Sequence, residues 1–220
     1  MRPRVGVMLS GCGFLDGSEI HEATLTLLFL DQKGAKTVCI APGINQFDVI
    51  NHITKNATGE KRNVMTESSR ISRGDIKNIK DVNAKNLDAL IFPGGFGVAK
   101  GISDFAFRGA LCVVTPEVER LVSKMHHAGK PLGFICIAPV IAAKVLGSFS
   151  PELTIGTDKA TRDALIAMGA RHTTCKVDEI VVDKKNKIVS TPAYMLGPSI
   201  SRIALGLEKL VSKVLEMGKR

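Results

Sequence analysis

Short, nearly continuous apolar runs separated by helix-like segments constrain this chain more than any other feature. Four of them, "RVGVML" (4–9), "KTVCIAP" (36–42), "LDALIFPGG" (87–95) and "PLGFI" (131–135), read as strands without polar alternation. Such a strand has no wet face, so it belongs in a parallel sheet covered on both sides by helices. The segments between them supply those helices. "SEIHEATLTLLFLDQKGA" (18–35) predicts a helix with Ser18 as N-cap and Gly34 just past its end. "TPEVERLVSKMHHAGK" (115–130) opens on Thr115 with Pro116 at the first helical position, where a missing N–H costs nothing. "APVIAAKVLG" (138–147), "DKATRDALIAMGA" (158–170) and residues 198–217 complete the helices, and "DEIVVDKKNKIVSTPA" (178–193) predicts a hairpin. The expected fold class is α/β, a three-layer sandwich around a mostly parallel sheet.

The 220 residues suffice for one domain, and no linker, repeat or low-complexity tract divides them, so a single domain over 1–220 is expected. Residues 43–86 fit the alternation least. Polar and irregular, they predict an insertion with short elements packed beside the sheet.

No apolar run reaches the roughly 18 residues that span a bilayer, so no membrane partner is expected. The start, "MRPRVGVMLSGCG", is basic and then apolar, but its apolar stretch is short and ends in a strand-to-loop pattern. It reads as a first strand, not a signal peptide. Cysteines at 12, 39, 112, 136 and 175 are odd in number, widely spaced and without a C-x-x-C pair, which supports neither a zinc site nor a disulfide framework. Reduced thiols and a cytoplasmic location are the expectation.

A net charge of +9 raises the question of nucleic acid, yet the 30 Lys and Arg are scattered and no basic stripe interleaves with aromatics. The nine Phe and single Tyr read as mostly buried. No nucleic-acid partner is expected, while long-range attraction of small anions stays open.

Sites in open α/β sheets form beyond the carboxyl ends of the strands, and three such ends carry unusual residues. Cys136 stands where "PLGFI" hands over to a helix, with Gly133 before it and Ala138 after it. Buried packing is one reading, because free cysteine is among the most buried residues. A nucleophile on an elbow is the other, with unpaired helix N–H groups lowering the thiol pKa, although the G-x-S-x-G spacing is absent. "PGGFG" (93–97) is either a turn that needs positive φ or an oxyanion hole formed by the N–H groups of Gly95 and Ile137. "GSEIHE" (17–22) puts Glu19 and Glu22 one turn apart at a helix start, where capping explains at least one carboxylate. A carboxyl over a thiol would also hydrogen-bond the sulfur or shuttle a proton. Cys12 in "SGCG", Gly94 and Asp158 are further candidate pocket residues. Asp158 reads equally well as a helix cap, and Cys39 and Cys112 read as packing.

Taken together, "IFPGGFG", "GKPLGFICIAP" and the Glu-bearing helix resemble the ThiJ/PfpI branch of the class I glutamine amidotransferase-like superfamily. "LSGCGFLDGSEIHEA", "RNVMTESSRISRG", "FPGGFGVAKG" and "TPAYM" are similar to the enhancing-lycopene-biosynthesis family within it, also described as isoprenoid-biosynthesis amidotransferase-like proteins or glyoxalases. The similarity covers essentially the whole chain. It implies a flavodoxin-like sandwich, Cys136 as nucleophile, Glu22 as the acid hydrogen-bonded to it with Glu19 as second choice, and a homodimer. The implied activity is cofactor-independent conversion of a small dicarbonyl such as glyoxal to a 2-hydroxy acid, with no metal or glutathione required. The alternatives are a redox-sensing or protective protein with an oxidisable Cys136, and a non-catalytic accessory protein of isoprenoid metabolism. The sequence departs from many superfamily members by lacking a histidine directly after the cysteine or about twenty residues downstream. Ile137 and "LTIGTDKA" (153–160) stand there instead, which argues against a Cys–His peptidase.

Overall fold

The computed structural model describes residues 2–197 and 199–219. In chain order its regular elements begin with β1 (Arg4–Met8), α1 (Ile20–Gln32), β2 (Lys36–Ala41), α2 (Val64–Ile71), β3 (Lys77–Asn78) and β4 (Ala89–Phe92). They continue with α3 (Phe96–Lys100), α4 (Phe105–Arg108), α5 (Pro116–His127), β5 (Leu132–Ile135), α6 (Pro139–Leu146) and β6 (Glu152–Leu153). The last are α7 (Lys159–Ala167), β7 (Arg171–His172), β8 (Val181–Asp183), β9 (Ile188–Thr191) and α8 (Ile200–Gly218).

Seven strands form one sheet in the order β3-β2-β1-β4-β5-β9-β8, parallel throughout except for β8, which runs antiparallel to β9. Strands β6 and β7 pair separately. Successive side chains of a strand point to opposite faces, and the core divides accordingly. Leu90 and Phe92 of β4, with Leu132 and Phe134 of β5, pack under α5, α6 and α7. Val5 and Val7 of β1, Ile91 of β4 and Ile135 of β5 pack under α1 and α8. Phe92 and Phe134 are register partners whose rings stack at 5.1 Å. Both faces are dry, as the unbroken apolar runs require, and the architecture is the flavodoxin-like α/β sandwich.

The structure corrects three local expectations. Ser18 is not the cap of α1: its Oγ accepts the Ser10 N–H at 2.8 Å and is drawn into the core, so Glu19 caps, accepting the Glu22 N–H at 2.7 Å. Residues 43–86 do more than pack beside the sheet, because they contribute α2 and the edge strand β3. The phenylalanines are not mostly buried: Phe14, Phe47, Phe96, Phe107 and Phe149, five of nine, are exposed. The expected final helix begins at Pro198, which lies outside the described residues; the helix is present from Ile200.

The chain winds outward from β1 to β2 and β3, then returns to place β4 on the other side of β1. That reversal opens a crevice beyond the carboxyl ends of β1, β4 and β5. The three loops singled out in the sequence all leave from there.

Candidate active site

Cys136 directly follows β5, and its backbone sits at φ +60. A left-handed conformation costs a non-glycine residue about 1–2 kcal/mol, so the surroundings must hold it. Its N–H donates to the Thr191 carbonyl at 3.0 Å, and the Ala138 N–H closes the turn on the Ile135 carbonyl at 2.9 Å. This elbow turns the thiol out of the sheet onto the floor of the crevice, where the residue is 7% exposed.

Glu22 comes from the first turns of α1 and is fully buried. Its Oε2 accepts the Gly94 N–H at 2.8 Å and its Oε1 accepts the Tyr194 N–H at 3.3 Å. The carboxyl also lies against the Cys136 sulfur: Glu22 Oε2 and Cys136 Sγ would stand 2.8 and 3.1 Å from the same Cβ position on Gly94. Burial, then the negative charge of Glu19, pushes the Glu22 pKa up to about 8 despite these donors. Burial and the Glu22 carboxyl likewise raise the Cys136 thiol, opposed by the N–H groups of Ile137 and Gly95. The two N–H groups expected to form an oxyanion hole therefore act on the thiol, holding its pKa down against burial.

Gly94 and Gly95 have separate steric reasons to be glycine. A Cβ on Gly94 would lie 2.6 Å from Cys136 Cβ and 2.8 Å from Glu22 Oε2. Gly95 has φ +97, and a Cβ there would collide with the backbone of Gly17 and Glu19. The close approach ties the loops together: Glu19 N–H donates to the Gly94 carbonyl at 3.0 Å, and Phe96 N–H to the Phe14 carbonyl at 2.8 Å.

A cavity of about 500 Å³ stands over the thiol, lined by Glu19, Gly95, Cys136, Ile137 and Asp158 among others. Asp158 meets both of its readings: it lines the cavity and caps α7, accepting the Thr161 N–H at 2.8 Å, a bond that lowers its pKa. Cys12 does not join them. Its loop turns toward α2, where burial first and Glu67 second raise its thiol pKa, and it does not line this cavity. A larger concavity, about 930 Å³, lies between Arg2 and Lys219 near the start of β1, away from Cys136.

Sequence reasoning missed Tyr194. It supplies a backbone donor to Glu22, and its hydroxyl pairs with His21 Nδ1 at 2.7 Å at the edge of the cavity. "TPAYM" was the only trace of it, since a main-chain donor has no residue signature. Among the described residues no histidine lines the cavity, so Cys136 faces a carboxyl and not an imidazole.

No family model matches the chain. It is 47% identical over 225 residues to the human glutamine amidotransferase-like class 1 domain-containing protein 3, mitochondrial, covering 97% of this chain and 83% of that protein. It is 46% identical to the rat ES1 protein homolog, mitochondrial, covering 98% and 84%. A solved isoprenoid biosynthesis protein with an amidotransferase-like domain from Ehrlichia chaffeensis superposes with TM-score 0.92 at 36% identity, covering 99% of this chain and 100% of that one. Drosophila melanogaster DJ-1beta, at 16% identity and TM-score 0.56 over 99% of this chain and 96% of that one, shares the fold. The cytoplasmic expectation is corrected by the mitochondrial names of the human, rat and zebrafish relatives. Unpaired thiols report a reducing environment and not a particular compartment. By its identity to the human and rat proteins over nearly its whole length, the chain belongs to the glutamine amidotransferase-like class 1 domain (ES1) family, with isoprenoid-biosynthesis amidotransferase-like and ThiJ/PfpI proteins as its structural neighbours.

Proposed function

We propose that the protein converts an α-oxoaldehyde to a 2-hydroxy acid by glyoxalase-type chemistry, using Cys136 as nucleophile and Glu22 as proton shuttle. The observation that carries this reading is the contact between the Cys136 sulfur and a buried carboxyl whose pKa is raised to about 8. Such a carboxyl is divided between acid and base forms near neutral pH, the condition under which one group can both take and give a proton.

In its ionised form Glu22 takes the thiol proton as sulfur attacks the aldehyde carbon, and the N–H groups of Gly95 and Ile137 stabilise the developing thiolate. The carbonyl electron pair moves to oxygen, and Glu22 returns the proton there, giving a hemithioacetal. Glu22 next removes the proton from the former aldehyde carbon, giving an enediol, and delivers it to the adjacent carbon, while the hydroxyl proton on the first carbon's oxygen passes to the oxygen of the second. That transfer leaves a 2-hydroxyacyl thioester on Cys136. Water cleaves the thioester to the 2-hydroxy acid and restores the thiol. The sum is α-oxoaldehyde plus water, with no external oxidant or reductant.

The test is steady-state consumption of glyoxal and methylglyoxal with the product identified. The wild type is expected to form glycolate and lactate, and Cys136→Ala to form neither. Equal, negligible rates in both proteins would remove the reading.

A second reading is favoured by one detail. The N–H groups of Gly95 and Ile137 and the Glu22 carboxyl all surround the sulfur, an arrangement that would also hold the oxygens of an oxidised thiol. Peroxide titration followed by intact-mass measurement of wild type and Cys136→Ala separates the two.

A further inference from the structure

We propose that the substrate of this site carries an uncharged apolar group on the carbonyl carbon next to the aldehyde, larger than the hydrogen of glyoxal or the methyl of methylglyoxal. The inference rests on the thiol chemistry above and adds what the cavity selects. Its volume, about 500 Å³, falls in the range that encloses drug-sized ligands, whereas glyoxal is two carbons and two oxygens.

The lining points the same way. Phe14, Phe96, Phe105, Ile137 and Met195 form much of the wall above the thiol. They come from the β1–α1 loop, α3, α4, the elbow and the turn after β9, so the apolar wall is assembled from five separate places in the chain. Phe14 is 45% exposed and Phe96 43%, in a chain with few aromatics to spare. Exposed aromatic surface gathered round a concavity marks a place where an apolar group is taken up. The apolar character continues outward, since Phe107 on α4 pairs with Phe47 at 4.5 Å and both are exposed.

Charge excludes the main alternative. Among the described residues no lysine, arginine or histidine lines the cavity, and its charged side chains are the carboxylates Glu19 and Asp158. The net charge of +9 would draw anions toward the molecule. At the thiol itself a phosphate or carboxylate on the substrate would meet like charge and no donor cation. A neutral aryl or alkyl tail meets phenylalanine.

The probes are phenylglyoxal, glyoxal and 4-carboxyphenylglyoxal, an α-oxoaldehyde with an anionic tail, with formation of mandelate, glycolate and 4-carboxymandelate as readout and Cys136→Ala as background. Mandelate formation separates turnover from any reaction of phenylglyoxal with arginine side chains. Burying the phenyl ring in the cavity should raise kcat/KM for phenylglyoxal roughly tenfold or more over glyoxal, and 4-carboxyphenylglyoxal should fall roughly tenfold or more below phenylglyoxal. Phe96→Ala and, separately, Phe14→Ala should shrink the phenylglyoxal-to-glyoxal ratio several-fold. Because a ratio is read, partial loss of folded protein in either variant does not disturb it. A ratio of one or less in the wild type, a ratio untouched by both substitutions, or 4-carboxyphenylglyoxal turned over as well as phenylglyoxal overturns the inference and leaves the thiol chemistry standing. If no dicarbonyl is consumed at all, the thiol reading fails and the inference fails with it.

Discussion

Glu22 and Cys136 meet across Gly94, whose N–H fixes Glu22 Oε2 at 2.8 Å and whose Cα leaves no room for a side chain beside Cys136 Cβ. The carboxyl is thus held against the sulfur by main chain of the loop after β4, while α1 and the elbow after β5 supply the two reacting groups.

Gly94→Ala should damage the site directly, since its methyl group would lie 2.6 Å from Cys136 Cβ and 2.8 Å from Glu22 Oε2. The added carbon would have to displace Cys136 or Glu22, an overpacking strain worth about 1–3 kcal/mol. A thermal melt should show Tm lowered by several degrees, and alkylation of Cys136 by iodoacetamide should change rate. A Tm within one degree of wild type, about the noise of such a scan against the 2–4 °C per kcal/mol expected at this size, would contradict the packing described.

Cys136 should reverse the usual ranking of alanine and glycine. Both Cys136→Ala and Cys136→Gly remove the sulfur, but only glycine relaxes the φ of +60. Left-handed backbone disfavours a Cβ, so the glycine variant should be more stable than the alanine variant by about 1 kcal/mol in urea unfolding. An alanine variant that is the more stable would mean the elbow is unstrained.

Stability should respond to pH through Glu22 with a defined sign. Its folded pKa, about 8, lies above the ordinary carboxyl value of 4.5, so the folded state binds the extra proton. The contribution is therefore fully present below pH 4.5 and is lost as pH rises through 8. Glu22→Gln forfeits one of the Gly94 and Tyr194 hydrogen bonds at every pH but removes this slope. The Tm of Glu22→Gln relative to wild type should therefore improve steadily from pH 5 to pH 8.5. A constant difference would place the carboxyl near its ordinary pKa.

The same ionisation should appear in turnover. If Glu22 acts as the base, kcat/KM for glyoxal should rise from pH 6, reach half its limit near pH 8 and level about one unit above that. A profile flat over that range would assign the proton transfer to another group.

The strands were legible because a strand buried on both faces has no choice but continuous apolar residues: Val5, Val7 and Met8, or Leu132 and Phe134, leave no polar alternation. The β8–β9 hairpin was legible from its polar turn. Strand β3 was not, since Lys77 and Asn78 form a two-residue polar edge with no pattern to detect. Ser18 was misread because a good capping residue was claimed by Ser10, a partner eight positions away that only the folded loop brings near. At the site, Cys136, Glu22 and the double glycine stood out by residue type and place. The Tyr194 N–H and the phenylalanine wall did not, because the first is backbone and the second gathers residues that topology alone makes neighbours.

The measurement closest to the central claim is product formation from glyoxal by the wild type, Cys136→Ala, Glu22→Gln and the double variant, run side by side. Two groups that act on one proton act as a unit, so either single substitution should abolish glycolate formation as completely as both together. Glycolate formed at the wild-type rate by Cys136→Ala would contradict the account.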